Sequence, residues 1–528
     1  MNSPPIEPIA ACYDRSNQCK EEASICLDQF WWAEKTGSNE EPRMGERPNI
    51  VMFMTDQHAA RILGCAGDRS AETPNLDRLA AQGTRFENCY CPSPLCVPSR
   101  TAFLTGLEPH QSGVLTNDDY LASDIPTIAH AMAAAGYECG LIGRMHFYGP
   151  DQLHGFGSRP IGDIGASYPG ANPPDIGDLT KGRGNRGPEL EFSGAGETSY
   201  QAYDAAVASH AEEALKRVAE QRSSSAKPFF LLISFFCPHP PYIAPDEDYT
   251  AFEGKVPPPT LSEPADEHPA LQEWRAAGGM RGVSRSATRR SRTAYYGLVR
   301  MIDRLIGRLL DQMDDLGLSD AVTIYASDHG ECLGERGLWW KSVMYDASAK
   351  VPLIIRAPFA TPGSLDHRVC NLIDLSATLL ELAETPGLPG HKGHSLISPE
   401  NQHLRTFSSY YGGLMNIKLP LHQHRMIRSG SYKLTHYGGG APTLFNLQSD
   451  PHELDDLADN PDYANIRNDL ERLLMDGWDA EKIKAMQEMS AARNAVIRRW
   501  VKATDPSEPA RWFDPHPERN RYRESQSI

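Results

Sequence analysis

Continuous apolar runs alternate with amphipathic segments along most of the chain after Pro48. Short apolar runs bounded by turn residues are typical of strands buried on both faces of a parallel sheet. These runs occupy residues 49–56, 137–143, 228–236, 321–328 and 351–357. The amphipathic segments predict helices at 73–83, 125–136, 199–222 and 293–316. The alternation predicts an α/β fold with a large mixed, mostly parallel sheet sandwiched by helices.

A different pattern begins near residue 400. Four short segments with β-like alternation, RTFSSYY, HRMIRSG, YKLTHYG and TLFNL, predict a small antiparallel sheet. Helical segments follow from 463 to 503, and a charged tail ends the sequence. The expected organisation is an N-terminal extension (1–47), an α/β domain with the candidate chemistry (48–400), a C-terminal α+β subdomain (401–480) and a helical, charged tail (481–528).

The charge balance narrows the classes of partner. Lys and Arg number 52 against 69 Asp and Glu, a formal net charge of −17. This balance disfavours a general nucleic-acid or anionic-membrane binder, so an anionic substrate needs local positive charge from a metal ion and a few Arg or Lys side chains. The N-terminus shows no apolar leader, and the longest apolar run, at 229–236, is too short to span a bilayer. We therefore expect a cytoplasmic protein.

Most of the eleven cysteines have the irregular spacing of free thiols in a reducing compartment. Cys89, Cys91 and Cys96 are close in sequence but lack the paired spacing of zinc sites. Cys96 is distinctive because it stands near Arg100 at the start of an apolar, helix-like run, PLCVPSRTAFLTG (94–106). These residues alone leave a disulfide, a metal ligand, a thiolate nucleophile and a substrate for modification as alternatives.

Reactive residues follow three of the predicted strands. Asp56-Gln57 closes the first, His239 lies just past 228–236, and Asp328-His329 closes 321–327. Ligands in such sheets bind outside the carboxyl ends of the strands. Two carboxylates, an amide oxygen and an imidazole at one edge would hold a divalent cation, mainly through oxygen. The alternative is that the two aspartates only cap the turns that follow them.

The motif around Cys96 resembles a known family. CVPSRTAFLTG matches the C-x-P-S-R signature of the sulfatases, within the alkaline phosphatase superfamily, and GYECGLIGRMH (136–146) resembles their second signature. GRMHFYGPDQLHGF and SDHGECLGERGLWWKS are most similar to the choline-sulfatase branch. The resemblance covers about residues 48–460 and implies an alkaline-phosphatase-like fold and hydrolysis of a sulfate ester. Phosphonate monoester and phosphodiester hydrolases share much of this site and are the alternative; a non-catalytic sulfate-ester-binding homologue is a third possibility.

The resemblance also implies a cofactor. A maturation enzyme would read Pro98 and Arg100 and oxidise Cys96 to formylglycine, whose hydrate attacks sulfur and then expels sulfate. The implied ion is Ca²⁺, with Mn²⁺ as the alternative. The implied metal ligands are Asp56, Gln57, Cys96 in its modified form, Asp328 and His329.

The same comparison implies roles for six further residues. Arg100 would hold the modified residue and the metal-site charge, and Asn117 would contact the sulfuryl group. His146 and Lys341 would bind sulfate or orient the diol, and His239 would protonate the leaving oxygen. Arg144 stands where the family signature has lysine. Arginine keeps the positive charge and can clamp sulfate oxygens, but it cannot give up a proton.

Three other segments carry weaker expectations. The arginine-rich run 281–292 predicts a solvated loop before a helix. Tyr168, Trp512 and Phe513, with Asp514, could form an aromatic cage for a quaternary ammonium group. The charged C-terminal tail would reach a neighbouring subunit by analogy with the choline-sulfatase branch, so a homodimer or homotetramer is expected.

Overall fold

The computed structural model describes residues 47–172, 186–222, 227–397, 405–412, 423–438, 440–512 and 520–523. The chain divides into two units, Met1–Glu46 and Arg47–Ile528, and the elements below belong to the second. Of the predicted N-terminal extension, only Arg47 is among the described residues, and Phe513 and Asp514 lie outside them.

Strands and helices alternate through most of the described chain. The strands are β1 (Ile50–Asp56), β2 (Thr84–Tyr90), β3 (Glu138–Gly143), β4 (Gly194–Glu197), β5 (Phe229–Pro238), β6 (Ile243–Ala244), β7 (Val322–Ser327), β8 (Leu353–Arg356), β9 (Ser364–Asn371), β10 (Arg405–Tyr410), β11 (His424–Ser429), β12 (Tyr432–Tyr437), β13 (Thr443–Asn446) and β14 (Arg521–Arg523). The α-helices are α1 (Pro74–Gln82), α2 (Cys96–Thr105), α3 (Pro109–Ser112), α4 (Ile128–Ala134), α5 (Ser199–Arg222), α6 (Asp246–Phe252), α7 (Pro269–Ala277), α8 (Arg285–Asp315), α9 (Asp346–Ala349), α10 (Leu372–Leu382), α11 (Ala464–Met475) and α12 (Ala480–Thr504).

A seven-stranded sheet with the order β3-β5-β1-β7-β8-β2-β9 lies at the centre of the described fold. Its neighbouring strands run parallel except at β8, which is antiparallel to both β7 and β2. The central strand β1 shows why helices cover both faces. Val51 and Phe53 belong to a core shared with α5 and α8, whereas Met52 and Met54 belong to a second core with α4 and α10. The predicted mostly parallel, helix-sandwiched sheet is confirmed.

The predicted small antiparallel sheet is also confirmed. Strands β10 to β13 pair consecutively and antiparallel. Helix α11 covers this sheet, with Leu470 and Leu474 packed in one apolar cluster with Ile427 and Leu434. A third sheet has the order β14-β4-β6, so the described C-terminal strand pairs with β4 of its own chain.

The predicted loop at 281–292 is wrong for most of its length. Helix α8 begins at Arg285, and the Ser284 side chain accepts a hydrogen bond from the Ala287 amide at 3.0 Å. Arg292 is buried and donates to the carbonyl oxygens of Pro257 and Leu333 at 2.8 and 2.7 Å. Arginine is a good helix former, so a polar composition does not by itself mark a loop.

No helix in the described parts of the chain combines the length and apolar character needed to cross a membrane.

Candidate active site

Two neighbouring parallel strands bring the aspartates together. Thr55 of β1 is paired with Ser327 of β7, so Asp56 and Asp328 leave the sheet side by side. Helix α2 starts at the same edge with Cys96 as its first residue. Potential ligand atoms of Asp56, Cys96, Asp328 and His329 lie within 4.8 Å of one another, and all four residues are buried. The positive end of the α2 dipole thus lies at this cluster.

Buried arginines hold the two carboxylates. Arg100 Nε donates to Asp328 Oδ2 at 2.8 Å, and its Nη2 donates to Asp56 Oδ2 at 3.3 Å. Arg144 Nε donates to the same Asp56 oxygen at 2.5 Å. Burial and Cys96 oppose ionisation of Asp56, but Arg144, His239 and Arg100 hold the pKa of its carboxyl well below the usual range. Asp56 Oδ1 remains directed towards the cluster, 3.6 Å from Cys96 Sγ.

Positive groups also surround the Cys96 thiol. Its Sγ lies 3.2 Å from His329 Nε2 and 3.4 Å from Lys341 Nζ. Burial opposes ionisation, yet Lys341 and His329, with hydrogen bonds from His146 and His239, lower the pKa of this thiol well below its usual value. The environment of position 96 therefore favours negative charge.

Gln57 presents an amide oxygen to the same cluster. The Gln57 backbone adopts a left-handed φ of 69°. The backbone N–H of Gln57 donates to Asp328 Oδ1 at 3.0 Å. The side-chain Oε1 accepts a hydrogen bond from Lys341 Nζ at 2.6 Å. Left-handed backbone is uncommon for a residue other than glycine, which marks this turn as one held by its surroundings.

Two further predicted residues, His239 and Asn117, border the cluster. The His239 Nδ1 lies 2.8 Å from the Pro240 carbonyl oxygen, so Nε2 is the ring nitrogen that faces the site. Burial and Lys341 lower the pKa of His239 to about 4. The Asn117 side-chain oxygen accepts from the Val97 amide at 3.0 Å, in the first turn of α2, and leaves its NH₂ group available.

Arg144 links the cluster to the loop behind it. Besides Asp56, its guanidinium lies 3.0 Å from His146 Nδ1 and 3.7 Å from Asp163 Oδ1. Asp163 Oδ2 accepts two hydrogen bonds, one from the His146 backbone amide at 2.8 Å and one from Arg159 Nη2 at 2.6 Å. A planar guanidinium can make these several contacts at once, which a lysine ammonium in the same place cannot.

Two buried acids near the site were missed by the sequence reasoning. Asp163 lies in a loop whose Gly, Pro and Asp composition carries no code for its contacts. Glu331 accepts from the Gln57 side chain and stands two residues after His329 in the DHGE motif. Because two predicted metal ligands begin that motif, the sequence position of Glu331 already indicated a residue near the site.

The two described residues of the predicted aromatic cage have different ring partners. Tyr168 packs edge-on against Trp500 with ring centroids 5.3 Å apart, and Trp512 packs against Tyr203 at 5.5 Å. These contacts place Trp512 against the main core instead of against Tyr168.

The donor set fits a hard or borderline divalent cation. Carboxylate oxygens of Asp56 and Asp328 and Oε1 of Gln57 are oxygen ligands of the kind that Ca²⁺ and Mn²⁺ accept. The His329 Nδ1 lies 3.1 Å from the Gly330 carbonyl oxygen, so Nε2 is the ring nitrogen that could bind a cation. The fold and the site together define an α/β protein with a buried cluster of potential metal ligands at the carboxyl edge of its sheet.

Comparisons with known proteins agree with this class. The model of the family described as Sulfatase matches residues 48–385, and that of the N-sulphoglucosamine sulphohydrolase C-terminal region matches 334–479. The chain is 34% identical to a choline-sulfatase of Rhizobium meliloti (strain 1021) over 486 residues, 86% of this chain and 90% of that protein. The chain belongs to the sulfatase family.

Solved structures show the same fold. BT4656 in complex with its substrate D-glucosamine-2-N,6-O-disulfate superposes with a TM-score of 0.67 at 22% identity, covering 83% of this chain and 99% of that one. The phosphonate monoester hydrolase of Silicibacter pomeroyi gives a TM-score of 0.66 at 22% identity, covering 82% and 95%. The family match and the choline-sulfatase relative confirm the predicted family and the predicted sulfatase activity, and the phosphonate hydrolase is a relative in fold.

Proposed function

We propose that this sulfatase hydrolyses the sulfate monoester of a small alcohol at a formylglycine derived from Cys96. One observation carries the proposal. The Cys96 side chain is buried at the positive end of α2 and lies within 3.6 Å of Asp56, His329 and Lys341. A nucleophile that must ionise beside a bound anion requires such a concentration of positive and metal-binding groups.

The residues that would hold the metal ion are Asp56, Gln57, Asp328, His329 and the modified residue 96. Ca²⁺ is the proposed ion because most of these ligands are oxygens, with Mn²⁺ as the alternative. Together, the ion and the formylglycine hydrate would supply an ionisable hydroxyl group that displaces the alcohol from sulfur.

The protein's own cations would bind and orient the ester. Lys341 Nζ and the NH₂ group of Asn117 are the proposed donors to sulfuryl oxygens, with His146 beside them. Arg100 and Arg144 would keep Asp56 ionised. Arg144 has no labile proton, so its proposed contribution to sulfate binding is fixed charge.

His239 Nε2 would protonate the leaving alcohol oxygen. A pKa of about 4 leaves the ring neutral in the free protein. Binding of a negatively charged ester raises this pKa, because an adjacent anion favours the imidazolium form. The ring would therefore acquire its proton only in the substrate complex, with Nδ1 held by the Pro240 carbonyl oxygen.

Parallel assays test the substrate class. Choline sulfate, an aryl sulfate and phenyl phosphonate would be compared with protein co-expressed with a formylglycine-generating enzyme. Sulfate-ester hydrolysis is expected to dominate, and the choline-sulfatase relative makes choline sulfate the first ester to assay. A dominant phosphonate activity would assign the chain to the alternative chemistry.

Maturation and assembly are separate parts of the proposal. The mass of the peptide containing Cys96 should change to that of the aldehyde or its hydrate after co-expression. Unmodified peptide would favour the non-catalytic, sulfate-ester-binding alternative. The homodimer or homotetramer and the cytoplasmic location stay predictions, tested by light scattering and by fractionation of the native cells.

A further inference from the structure

Glu331 is fully buried and all its described partners are hydrogen-bond donors. Its Oε1 accepts from the backbone amides of Leu333 at 2.6 Å and Trp340 at 2.7 Å. Its Oε2 accepts from the Tyr242 hydroxyl at 2.7 Å and from Gln57 Nε2. A carboxylate in this position can only accept, so the Gln57 group that faces it has to be the NH₂ end.

The other end of the Gln57 amide is consequently fixed as oxygen. Its Oε1 points away from Glu331 and accepts from Lys341 Nζ at 2.6 Å. The two ends of an amide look alike in shape but only the oxygen can bind a cation. The orientation of this one amide therefore decides whether residue 57 can be a metal ligand.

We propose that Glu331 is a positioning residue of the metal centre, which holds the Gln57 amide with Oε1 towards the cation. The inference rests on the proposed metal site. It adds to that site a residue that does not touch the ion but determines the chemistry of a ligand that does. Partners of this kind are worth about 10- to 100-fold in metal affinity.

A single substitution separates this role from simple packing. In Glu331→Gln, the new side-chain oxygen must accept from the amides of Leu333 and Trp340, because those groups can only donate. The new NH₂ group then faces the NH₂ group of Gln57, which must turn away although the turn costs Oε1 its hydrogen bond from Lys341 Nζ. The Tyr242 hydroxyl can rotate to accept, but the flipped Gln57 presents Nε2 to the cation. Metal affinity should fall by about 10- to 100-fold.

A reciprocal exchange should restore binding. In the double variant Gln57→Glu/Glu331→Gln, the amide at 331 donates to one carboxylate oxygen of residue 57, and the second oxygen faces the cation. The number of charges and the hydrogen bond between the two side chains are both retained. The matched control is Glu335→Gln, in the same loop, because Glu335 also accepts from backbone amides, at Thr260 and Leu261, without contacting Gln57.

The experiment measures Ca²⁺ affinity by calorimetry and Mn²⁺ affinity by electron paramagnetic resonance on chelator-treated protein. Support consists of weakened binding by Glu331→Gln, near wild-type binding by Glu335→Gln and recovery in the double variant. Wild-type affinity in Glu331→Gln, or no recovery in a folded double variant, would overturn the positioning role. Failure of the wild-type protein to bind either ion would instead overturn the proposed metal site. If Glu331→Gln does not fold, Glu331→Asp, which draws the carboxylate away from Gln57, must show the weakened affinity or the inference is wrong.

Discussion

Two groups of charges, one fully buried and one largely buried, differ in what their polar atoms face. At the active site, Asp56 and Asp328 are held from outside by arginines, and further acceptors converge on the space between them. The second group, the Lys433 cluster (Lys433, Asp346 and Glu453), joins the antiparallel sheet to the main fold. There the ammonium contacts Asp346 at 2.6 Å and Glu453 at 2.5 Å.

The Lys433 cluster is closed. Asp346 also accepts from the Tyr90 hydroxyl at 3.0 Å, and its backbone amide donates to Glu453 at 2.8 Å. Both carboxylates converge on the cluster's own ammonium, so the attraction stays within the cluster. Buried charge alone therefore does not identify a functional site. At the active site, potential ligand atoms of four residues lie within 4.8 Å of one another while arginines hold the carboxylates from outside, and this arrangement distinguishes it from a structural ion pair.

The largest expected effect comes from removing the nucleophile precursor. Cys96→Ala should lower kcat/KM for the best sulfate ester by at least about 10⁴-fold, because no other group at the site can replace a covalent nucleophile. The assay is hydrolysis by protein co-expressed with the maturation enzyme. Cys370→Ala is the control, since Cys370 is equally buried but lies at the end of β9. Activity of Cys96→Ala within tenfold of wild type would contradict the assignment.

Breaking the Lys433 cluster should affect stability and leave the chemistry intact. Lys433→Met leaves the buried carboxylate of Glu453 without its cation and the half-buried Asp346 with Lys350, at 4.0 Å, as its remaining described ion-pair partner, and should cost about 3 kcal/mol of unfolding free energy. Urea unfolding measures the loss, and activity per folded molecule should stay near that of wild type. The exposed Lys484, changed to Met, is the control with almost no expected effect. A specific loss of activity in folded Lys433→Met would mean that the two clusters are coupled.

Replacing Arg144 by the lysine of the family signature tests the importance of the guanidinium contacts at the active site. Arg144→Lys keeps the charge but cannot contact Asp56, His146 and Asp163 together. We expect a loss of about tenfold in kcat/KM and a pH–rate profile with an altered alkaline limb, because lysine can lose its proton. An unchanged rate and profile would show that the guanidinium contacts are unimportant.

The sequence predicted the strands and helices that have a periodic apolar pattern, and it predicted the site residues that directly follow a strand. Apolar periodicity identified the main sheet, and the ends of β1 and β7 identified Asp56 and Asp328 because parallel strands share an edge. It could not identify Asp163, whose partners Arg144 and His146 are brought to it by a loop without periodicity. The start of α8 was missed for a related reason: the partners of its arginines come from distant segments of the chain.

The smallest expected effect concerns His391, a partly buried base whose two hydrogen-bond partners are neutral. His391 Nδ1 accepts from the Gly393 amide at 3.0 Å and Nε2 lies 2.9 Å from Ser376 Oγ, with no counter-charge in either contact. Burial lowers the pKa of His391 to about 4. A depressed histidine pKa means that its stabilising contribution is complete above about pH 6.5 and is lost as the pH falls towards 4. After allowance for partial exposure, the loss should be about 1 kcal/mol.

The variant His391→Asn tests this expectation, because its side-chain oxygen can still accept from the Gly393 amide. The unfolding free energy is measured in urea at pH 4.5 and at pH 7. The difference between the two values should be smaller in the variant than in wild type by about 1 kcal/mol. An identical pH dependence in the two proteins would show that the ring is already free to take up a proton in the folded state.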